Sequence, residues 1–239
     1  MLSLILPTLN EAGNLPSVIH KLQLVLRDVP HEIIIVDDDS KDGTWQIARG
    51  MSKKDPSVRM LLRIGRRGLS SAIIEGFMAS KGSILAVADA DGQHDYAILP
   101  RLYQYVTEHS GIAIGSRYAE GGGVGQWSSH RHLLSRTATF LAIRLCRQRV
   151  ADPLSGYFAI RREVFDQVSP FLHPKGFKIL FSILSRLPPS IPVVEFPYTF
   201  DTRRIGKSKL TLRVRWQFLV QLLLEFFMRF VFGRMSDDE

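Results

Sequence analysis

Residues 83–94 read SILAVADADGQH, an apolar run that ends in acidic and amide side chains. Residues 83–88 form the run, and Asp89, Asp91 and Gln93 follow it directly. A short apolar run bounded by turn signals is typical of a buried strand. Because ligands of open α/β sheets bind beyond the carboxyl ends of the strands, these polar residues occupy a position where a ligand is expected.

More short apolar runs lie on both sides of this one, at residues 2–6, 32–36, 58–62 and 111–115. Amphipathic segments with helical spacing separate the runs, at residues 15–26, 44–51, 70–79 and 98–106. Strands that alternate with helices predict a mostly parallel sheet flanked by helices. The fold class predicted for this part of the chain is α/β, of the nucleotide-binding type.

The chain after residue 117 is less regular. Residues 119–126 contain too many glycines for a regular element and predict a loop that could cover a site. We predict a helix over residues 132–147, a strand over 157–160, and one or two strands over 191–200, where Pro192 and Pro197 interrupt the pattern.

The composition is that of a folded domain in a reducing compartment. Of 239 residues, 45% are hydrophobic and 23% are charged, which excludes disordered and collagen-like proteins. The single cysteine, Cys146, can form neither an internal disulfide nor a thiolate metal cluster. The N-terminus lacks a secretory pattern, and no uncharged apolar run reaches the roughly 18 residues of a spanning helix, so we expect a cytosolic chain.

The net charge of +8 does not indicate nucleic-acid binding. The basic residues are scattered along the chain and lack the interleaved aromatic residues of a base-stacking surface. We therefore expect no nucleic-acid partner.

Three of the predicted strands end in acidic residues. Glu11 follows the first, Asp37 and Asp38 follow the second, and Asp89 and Asp91 follow the run at 83–88. On an extended backbone, Asp89 and Asp91 would lie on one side, about 6–7 Å apart at their α-carbons. With an amide oxygen from Gln93 they would suit Mg²⁺ or Mn²⁺. The alternative is a solvated Asp-x-Asp turn that caps the next helix; acids at three strand ends favour the metal site.

The acidic motifs resemble the signatures of family 2 glycosyltransferases of the GT-A fold. They are Leu6-Pro7-Thr8-Leu9-Asn10-Glu11, Val36-Asp37-Asp38-Asp39-Ser40-Lys41-Asp42-Gly43-Thr44 and Asp89-Ala90-Asp91-Gly92-Gln93-His94. Later motifs resemble the dolichol-phosphate and polyprenol-phosphate mannosyltransferase branch of that family. They are Gly115-Ser116-Arg117-Tyr118, Asp152-Pro153-Leu154-Ser155-Gly156-Tyr157 and Arg203-Arg204-Ile205-Gly206-Lys207-Ser208-Lys209.

The resemblance implies a role for each matching residue. The expected contacts to the nucleoside of a nucleotide sugar are Pro7, Leu9, Glu11, Val36 and Asp38. The expected metal ligands are Asp89, Asp91 and Gln93, and Ala90 would offer backbone contacts to the donor. Basic positions expected to face phosphates are Arg117, Arg203 and Lys209, and Arg131 is expected to meet the lipid phosphate. The expected catalytic residues are Asp91, Arg117 and Arg131.

The implied reaction is inverting transfer of mannose from GDP-mannose to a dolichyl or polyprenyl monophosphate. A phosphate monoester is already anionic near neutral pH, so no strong general base is needed, and the basic excess fits an enzyme that brings two anions together. Transfer of glucose or another hexose from a UDP-sugar is an alternative, and a membrane nucleotide-sugar-binding scaffold is a non-enzymatic one. Many relatives carry Tyr at the position of Leu9, so the resemblance does not decide which nucleobase the donor carries. Arg67 and Ser70 replace the more usual Lys and Gly.

The C-terminal segment predicts contact with a membrane surface. Residues 210–232 follow a helical period, with a polar stripe formed by Arg213, Gln217, Gln221, Glu225 and Arg229. A core helix, an interfacial helix and the start of a membrane hairpin all fit this pattern. We favour an interfacial helix, because Arg213 and Arg215 would meet anionic headgroups.

These inferences divide the chain into a glycosyltransferase domain, residues 1–209, and an amphipathic membrane-associated helix with its tail, residues 210–239. Within the domain, residues 1–117 are the nucleotide- and metal-binding half and residues 118–209 the acceptor half. We expect a peripheral protein on the cytoplasmic face of a membrane. The partner at the membrane could be a small membrane subunit or a membrane hairpin beyond residue 239, and the sequence leaves both alternatives open.

Overall fold

The computed structural model describes residues 1–174, 176–201, 220, 222 and 223. The strands are β1 (Leu2–Thr8), β2 (His31–Asp37), β3 (Val58–Leu62), β4 (Ile84–Val87), β5 (Ile112–Ser116), β6 (Phe158–Arg161) and β7 (Val193–Pro197). The α-helices are α1 (Leu15–Val25), α2 (Thr44–Lys54), α3 (Leu69–Met78), α4 (Leu99–His109), α5 (Ser129–Leu145), α6 (Arg162–Val168) and α7 (Ile179–Arg186). Short 3₁₀ helices span Tyr96–Ile98 and Ser169–Phe171.

In the described part of the chain these strands form one sheet of seven, in the order β3-β2-β1-β4-β6-β5-β7. β1 pairs in parallel with β2 and β4, β2 with β3, and β5 with β7. β6 lies antiparallel between β4 and β5. The prediction of a mostly parallel α/β sheet flanked by helices is therefore confirmed.

Both faces of the sheet are covered, which explains why residues 4–6 of β1, 33–36 of β2 and 84–87 of β4 are uninterrupted apolar runs. Along β2, Ile33 and Ile35 belong to the core beneath α1, α2 and α4, whereas Ile34 and Val36 belong to the core beneath α3 and α5 to α7. Side chains alternate across a strand, so a stretch of strand that is buried on both faces reads as a nearly continuous apolar run. The helix α3 packs so closely that a Cβ at Gly76 would lie 2.6 Å from Ile5 Cγ2.

Strands from both predicted halves of the glycosyltransferase domain share this sheet. β6 comes from residues after 117, yet it lies between β4 and β5. The division at residue 117 therefore has no counterpart in the sheet order, and the roles assigned to the two halves stay predictions.

Two helices were absent from the sequence prediction. In α7, residues 179–184 are all buried. An apolar run of this length with no polar face cannot be told from a buried strand by its periodicity. α6 is only seven residues long, too short to show a helical repeat.

The predicted helix at 210–232 and the tail lie outside the described residues, except at three positions. Leu222 is buried in the core beneath α3 and α5 to α7, while Val220 and Leu223 are exposed. Among the helices of the described ranges, none has the length and apolar character needed to cross a membrane.

Candidate active site

The carboxyl ends of β1 and β2 meet at one edge of the sheet, where Thr8 pairs with Asp37. Asp37 is fully buried and accepts hydrogen bonds from Thr8 Oγ1 (2.9 Å), Ser40 N (2.9 Å) and Ser40 Oγ (2.7 Å). These hydrogen bonds use both oxygens of the Asp37 carboxylate and hold the loop after β2 in place.

The loop after β1 is bonded to the loop after β2. Asn10 N donates to Ser40 Oγ (2.8 Å), and Glu11 N donates to Thr44 Oγ1 (2.9 Å). Asn10 has a φ of 55°, a left-handed conformation that asparagine tolerates better than most residues. The two loops form one continuous surface, on which Pro7 and Leu9 are partly exposed and Glu11 is buried.

Two of the expected nucleoside contacts have side chains that face protein. Val36 is fully buried in the core and offers a ligand only its backbone. Asp38 is paired with Arg63 and accepts a hydrogen bond from Gly68 N at 2.7 Å. Burial raises the pKa of Asp38, although both partners favour its charged form. Asp38 therefore fastens the loop before α3 to the end of β2.

The turn after β4 begins at Ala90, so Asp89 and Asp91 do not lie together on an extended strand as expected. β4 ends at Val87, and Gly92 has a φ of 75°. Asp91 is buried and its Oδ1 accepts Gln93 N at 3.1 Å, whereas the Asp89 side chain is 34% exposed. Glycine permits the left-handed backbone at position 92 because it has no Cβ.

The chemistry of this turn fits a divalent cation held together with phosphates. Within the described residues no group of three or more His, Cys, Asp or Glu side chains could hold a metal on its own. Mg²⁺, however, is usually bound through one or two carboxylates and substrate phosphates. Gly156 lies beside this carboxylate: a Cβ at that position would be 3.7 Å from both oxygens of Asp89.

Gln93 joins this turn to residue 201. Gln93 Nε2 donates to the Asp201 carbonyl (2.7 Å), and Asp201 N donates to the Gln93 carbonyl (2.9 Å). Arg203 and Lys209 lie outside the described residues, two and eight positions after Asp201 in the sequence.

Arg117 is buried and paired with an acid. Its Nε and Nη2 donate to the two carboxylate oxygens of Asp152 at 2.7 and 2.8 Å. Burial alone would lower the pKa of Arg117, but Asp152 outweighs it and the pKa is raised. Glu195 in turn accepts the backbone N–H groups of Ala151 and Asp152 (2.6 and 2.9 Å), which holds the acid in place.

Arg131 lies near Arg117, with Trp127 in contact with both. The guanidinium carbons of Arg131 and Arg117 are 4.0 and 5.8 Å from the centre of the Trp127 ring. Arg131 is exposed in the first turn of α5, where Ser128 caps the helix. Trp127 Nε1 is buried and finds no hydrogen-bond partner within the described residues.

His94 and Lys178 were not assigned roles from the sequence. His94 is the last residue of the acidic motif at 89–94, and the structure places it against Asp89, with Nε2 3.5 Å from Oδ2. Lys178 carried no sequence signal; its Nζ donates to the Leu154 carbonyl at 2.7 Å. Burial lowers the pKa of Lys178 to about 8, and the charge on Arg117 acts in the same direction.

Known proteins resemble this chain along most of its length. It is 42% identical over 219 residues to the dolichol-phosphate mannosyltransferase of Pyrococcus furiosus, covering 91% of this chain. It spans 61% of that relative's length. The dolichol-phosphate mannosyltransferase of Saccharomyces cerevisiae is 36% identical over 197 residues, covering 80% of this chain and 73% of that protein.

A solved structure shares the fold at low sequence identity. Glucosyl-3-phosphoglycerate synthase from Mycobacterium tuberculosis, in complex with Mn²⁺, uridine diphosphate and glucosyl-3-phosphoglycerate, superposes with a TM-score of 0.67. The two are 20% identical, and the match covers 96% of this chain and 79% of that one. The GT-A-like architecture expected from the motifs is therefore confirmed at the level of the sheet and its helices.

The family model described as glycosyl transferase family 2 matches residues 3–169, which contain all of the strand-end motifs described above. Together with the identity to the relatives, this match means that the chain belongs to glycosyl transferase family 2.

Proposed function

We propose that this chain transfers mannose from GDP-mannose to a dolichyl or polyprenyl monophosphate, with inversion at the anomeric carbon. The observation that carries the proposal is the 42% identity, over 91% of this chain, to a protein named dolichol-phosphate mannosyltransferase. The charges at the sheet edge support it, because the carboxylates of Asp89 and Asp91 suit a cation bound to a diphosphate and the guanidinium groups of Arg117 and Arg131 suit a phosphate.

The donor binds on the joined loops after β1 and β2. Pro7, Leu9 and Glu11 contact the nucleoside, with backbone contacts from Val36 and Ala90, while Asp38 shapes the pocket wall through Arg63. Asp89, Asp91 and Gln93 would hold Mg²⁺ or Mn²⁺ against the diphosphate. When bound, the cation neutralises the charge that develops on the departing nucleoside diphosphate.

The acceptor phosphate binds between Arg117 and Arg131. Guanidinium groups bind phosphate oxygens in bidentate fashion, and Asp152 keeps that of Arg117 in one orientation. The Trp127 N–H, which has no hydrogen-bond partner among the residues that the structure describes, adds a buried donor beside both arginines. Because the phosphate oxygen is already anionic, these residues orient the nucleophile and need not remove a proton.

Arg203 and Lys209 supply further positive charge to the donor phosphates in this proposal. The two hydrogen bonds between Gln93 and Asp201 support it, since they hold the chain that leads to Arg203 against the turn of Asp89 and Asp91. Lys209 is expected to act as a compact charge on the same diphosphate.

The protein is proposed to work at the cytoplasmic face of a membrane, and α5 supports this. Its exposed side chains include Leu133, Leu134, Phe140, Leu141 and Ile143. Residues 121–151 contain five arginines and no Asp or Glu. Apolar side chains flanked by arginine are typical of helices that lie on anionic membranes. Residues 210–239 are a second proposed contact with the membrane. A small membrane subunit or a further hairpin is a proposed partner.

The test is transfer of labelled sugar to a polyprenyl phosphate in detergent, with Mn²⁺ or Mg²⁺, from GDP-mannose and in parallel from UDP-glucose. We expect organic-extractable label from GDP-mannose, lost when a chelator is added. Label from UDP-glucose alone would contradict the sugar assignment, while leaving the lipid acceptor in place. Donor binding without product from either donor would contradict the proposed reaction.

A further inference from the structure

His94 is buried beside Asp89 in a ring of aromatic side chains. Its imidazole stacks on Tyr157, with ring centres 4.8 Å apart and planes 11° from parallel. Tyr198 and Phe200 present their edges to it, at 5.7 and 5.5 Å. These contacts leave the imidazole little freedom to rotate, so the directions of its two nitrogens are set by packing.

Both imidazole nitrogens face the same residue. Asp89 N donates to His94 Nδ1 at 3.2 Å. A nitrogen that accepts a hydrogen bond carries no proton, so in the neutral ring the proton is on Nε2. Nε2 is 3.5 Å from Asp89 Oδ2. This is longer than the roughly 2.7–3.2 Å of an ordinary N–H···O hydrogen bond, so a small rotation of the carboxylate would bring the two groups into bonding distance.

The rest of Asp89 is held as well. Tyr96 Oη donates to the Asp89 carbonyl at 2.7 Å, so both the N–H and the carbonyl of this residue have fixed partners. His94 Nε2 faces the carboxylate of Asp89, the part of the residue that these backbone contacts do not hold. Carboxylates that hold metals commonly receive hydrogen bonds from neighbouring side chains that orient them.

We propose that His94 is a positioning residue that orients the Asp89 carboxylate for a divalent cation through its Nε2–H. The inference rests on the proposed metal site. His94 touches neither the cation nor the substrate; it acts through Asp89, and its Nδ1 and Nε2 have separate tasks. Nδ1 holds the backbone of the turn, and Nε2 directs the carboxylate.

Two substitutions separate these tasks. His94→Asn places an amide oxygen near the position of Nδ1 and has no group at Nε2. His94→Gln places an amide N–H near the position of Nε2. Both lose the ring, so they form a matched pair in their effect on packing.

The measurement is Mn²⁺ binding by the full chain in the presence of GDP, followed by electron paramagnetic resonance of free Mn²⁺. We expect His94→Asn to weaken Mn²⁺ binding about 10- to 100-fold and His94→Gln to restore most of it. Equal loss in both variants, or Mn²⁺ binding at the wild-type level in His94→Asn, would overturn the inference. Wild-type protein that binds GDP but takes up no Mn²⁺ would instead overturn the metal site on which the inference rests.

A measurement on the wild-type protein does not depend on how the variants fold. In ¹⁵N-histidine-labelled protein, we expect His94 to show the Nε2–H tautomer, and its Nε2 signal to shift when Mg²⁺ and GDP are added together. A proton on Nδ1, or a signal unchanged by Mg²⁺ with GDP, would overturn the inference.

Discussion

Arg117 and Asp152, which are 35 positions apart in the sequence, form a bidentate ion pair at 2.7 and 2.8 Å, with Asp152 fully buried. The pair joins the end of β5 to the loop before β6, and it fixes the orientation of the Arg117 guanidinium. A lysine at position 117 could not reproduce this geometry, because its ammonium lacks the planar fork.

We expect Asp152→Asn to lower the free energy of unfolding by about 3 kcal/mol, because it leaves a buried guanidinium without its counter-charge. Urea denaturation measures this. The control is Glu163→Gln, which breaks the more exposed Arg161–Glu163 pair (2.9 Å) and should cost less than about 1 kcal/mol. Equal effects in the two variants would contradict a structural role for the buried pair.

Asp91→Asn should lower metal-dependent turnover about 100-fold or more without unfolding the chain, since the amide keeps the shape of the side chain but not its charge. The labelled-sugar assay measures turnover. Asp95→Asn is the control: Asp95 is exposed on the same segment, and its Oδ1 accepts Ala97 N, a bond that asparagine can keep. Full activity in Asp91→Asn would rule out the proposed metal ligand.

Gly156→Ala tests the space beside Asp89. The added Cβ would lie 3.7 Å from both Asp89 oxygens, an ordinary contact that leaves the fold intact but occupies space needed by a ligand of that carboxylate. We expect kcat/KM to fall about 10- to 100-fold at unchanged thermal stability. Gly50→Ala, where a Cβ meets nothing within 4 Å, should retain activity. Loss of stability in Gly156→Ala would point to a structural effect instead.

The lowered pKa of Lys178 predicts that the free energy of unfolding depends on pH. Its pKa is about 8 in the folded state and about 10.4 when unfolded, so between these values the unfolded state binds more protons. The contribution of Lys178 to the free energy of unfolding therefore rises with pH across that window, and below pH 8 the penalty for burying its charge is fully present. Lys178→Met should lack this rise.

The measurement is urea unfolding of the wild type and Lys178→Met between pH 7 and pH 9.5. We expect the wild type to gain stability relative to the variant as the pH increases. Lys21→Met, which alters an exposed lysine of α1, is the matched control. A constant difference between wild type and Lys178→Met would contradict the lowered pKa.

Membrane contact through α5 predicts that Leu133→Ser weakens binding to anionic vesicles. Leu133 is 66% exposed, and loss of one inserted leucine should lower the partition coefficient about tenfold. Leu24→Ser, at a position 59% exposed on α1, is the control and should float like the wild type. If only removal of residues 210–239 abolishes flotation, the C-terminal segment is the contact and α5 is not.

Much of the fold followed from local pattern. The strands β1 to β5 and helices α1 to α5 were predicted to within a few residues, because alternation of apolar runs and amphipathic segments reports burial over short distances. The acidic motifs were predicted to lie at strand ends, and the structure places them at one edge of the sheet.

The antiparallel insertion of β6 between β4 and β5 could not be predicted in this way. Strand order depends on which distant segments pair, and the composition of a four-residue strand does not specify its neighbour. The same reason accounts for Asp38, whose carboxylate pairs with Arg63, and for Lys178, which reaches the Leu154 carbonyl.

The amino-acid sequence was sufficient to predict the α/β class, the family and the residue types at the site, because these depend on periodicity and on motifs a few residues long. The partners of those residues emerged only when the chain was folded. Arg117 with Asp152, His94 with Asp89 and Gln93 with Asp201 are contacts of the tertiary structure. The turn at Gly92 is likewise a property of the folded chain, because one glycine permits a left-handed backbone without requiring it.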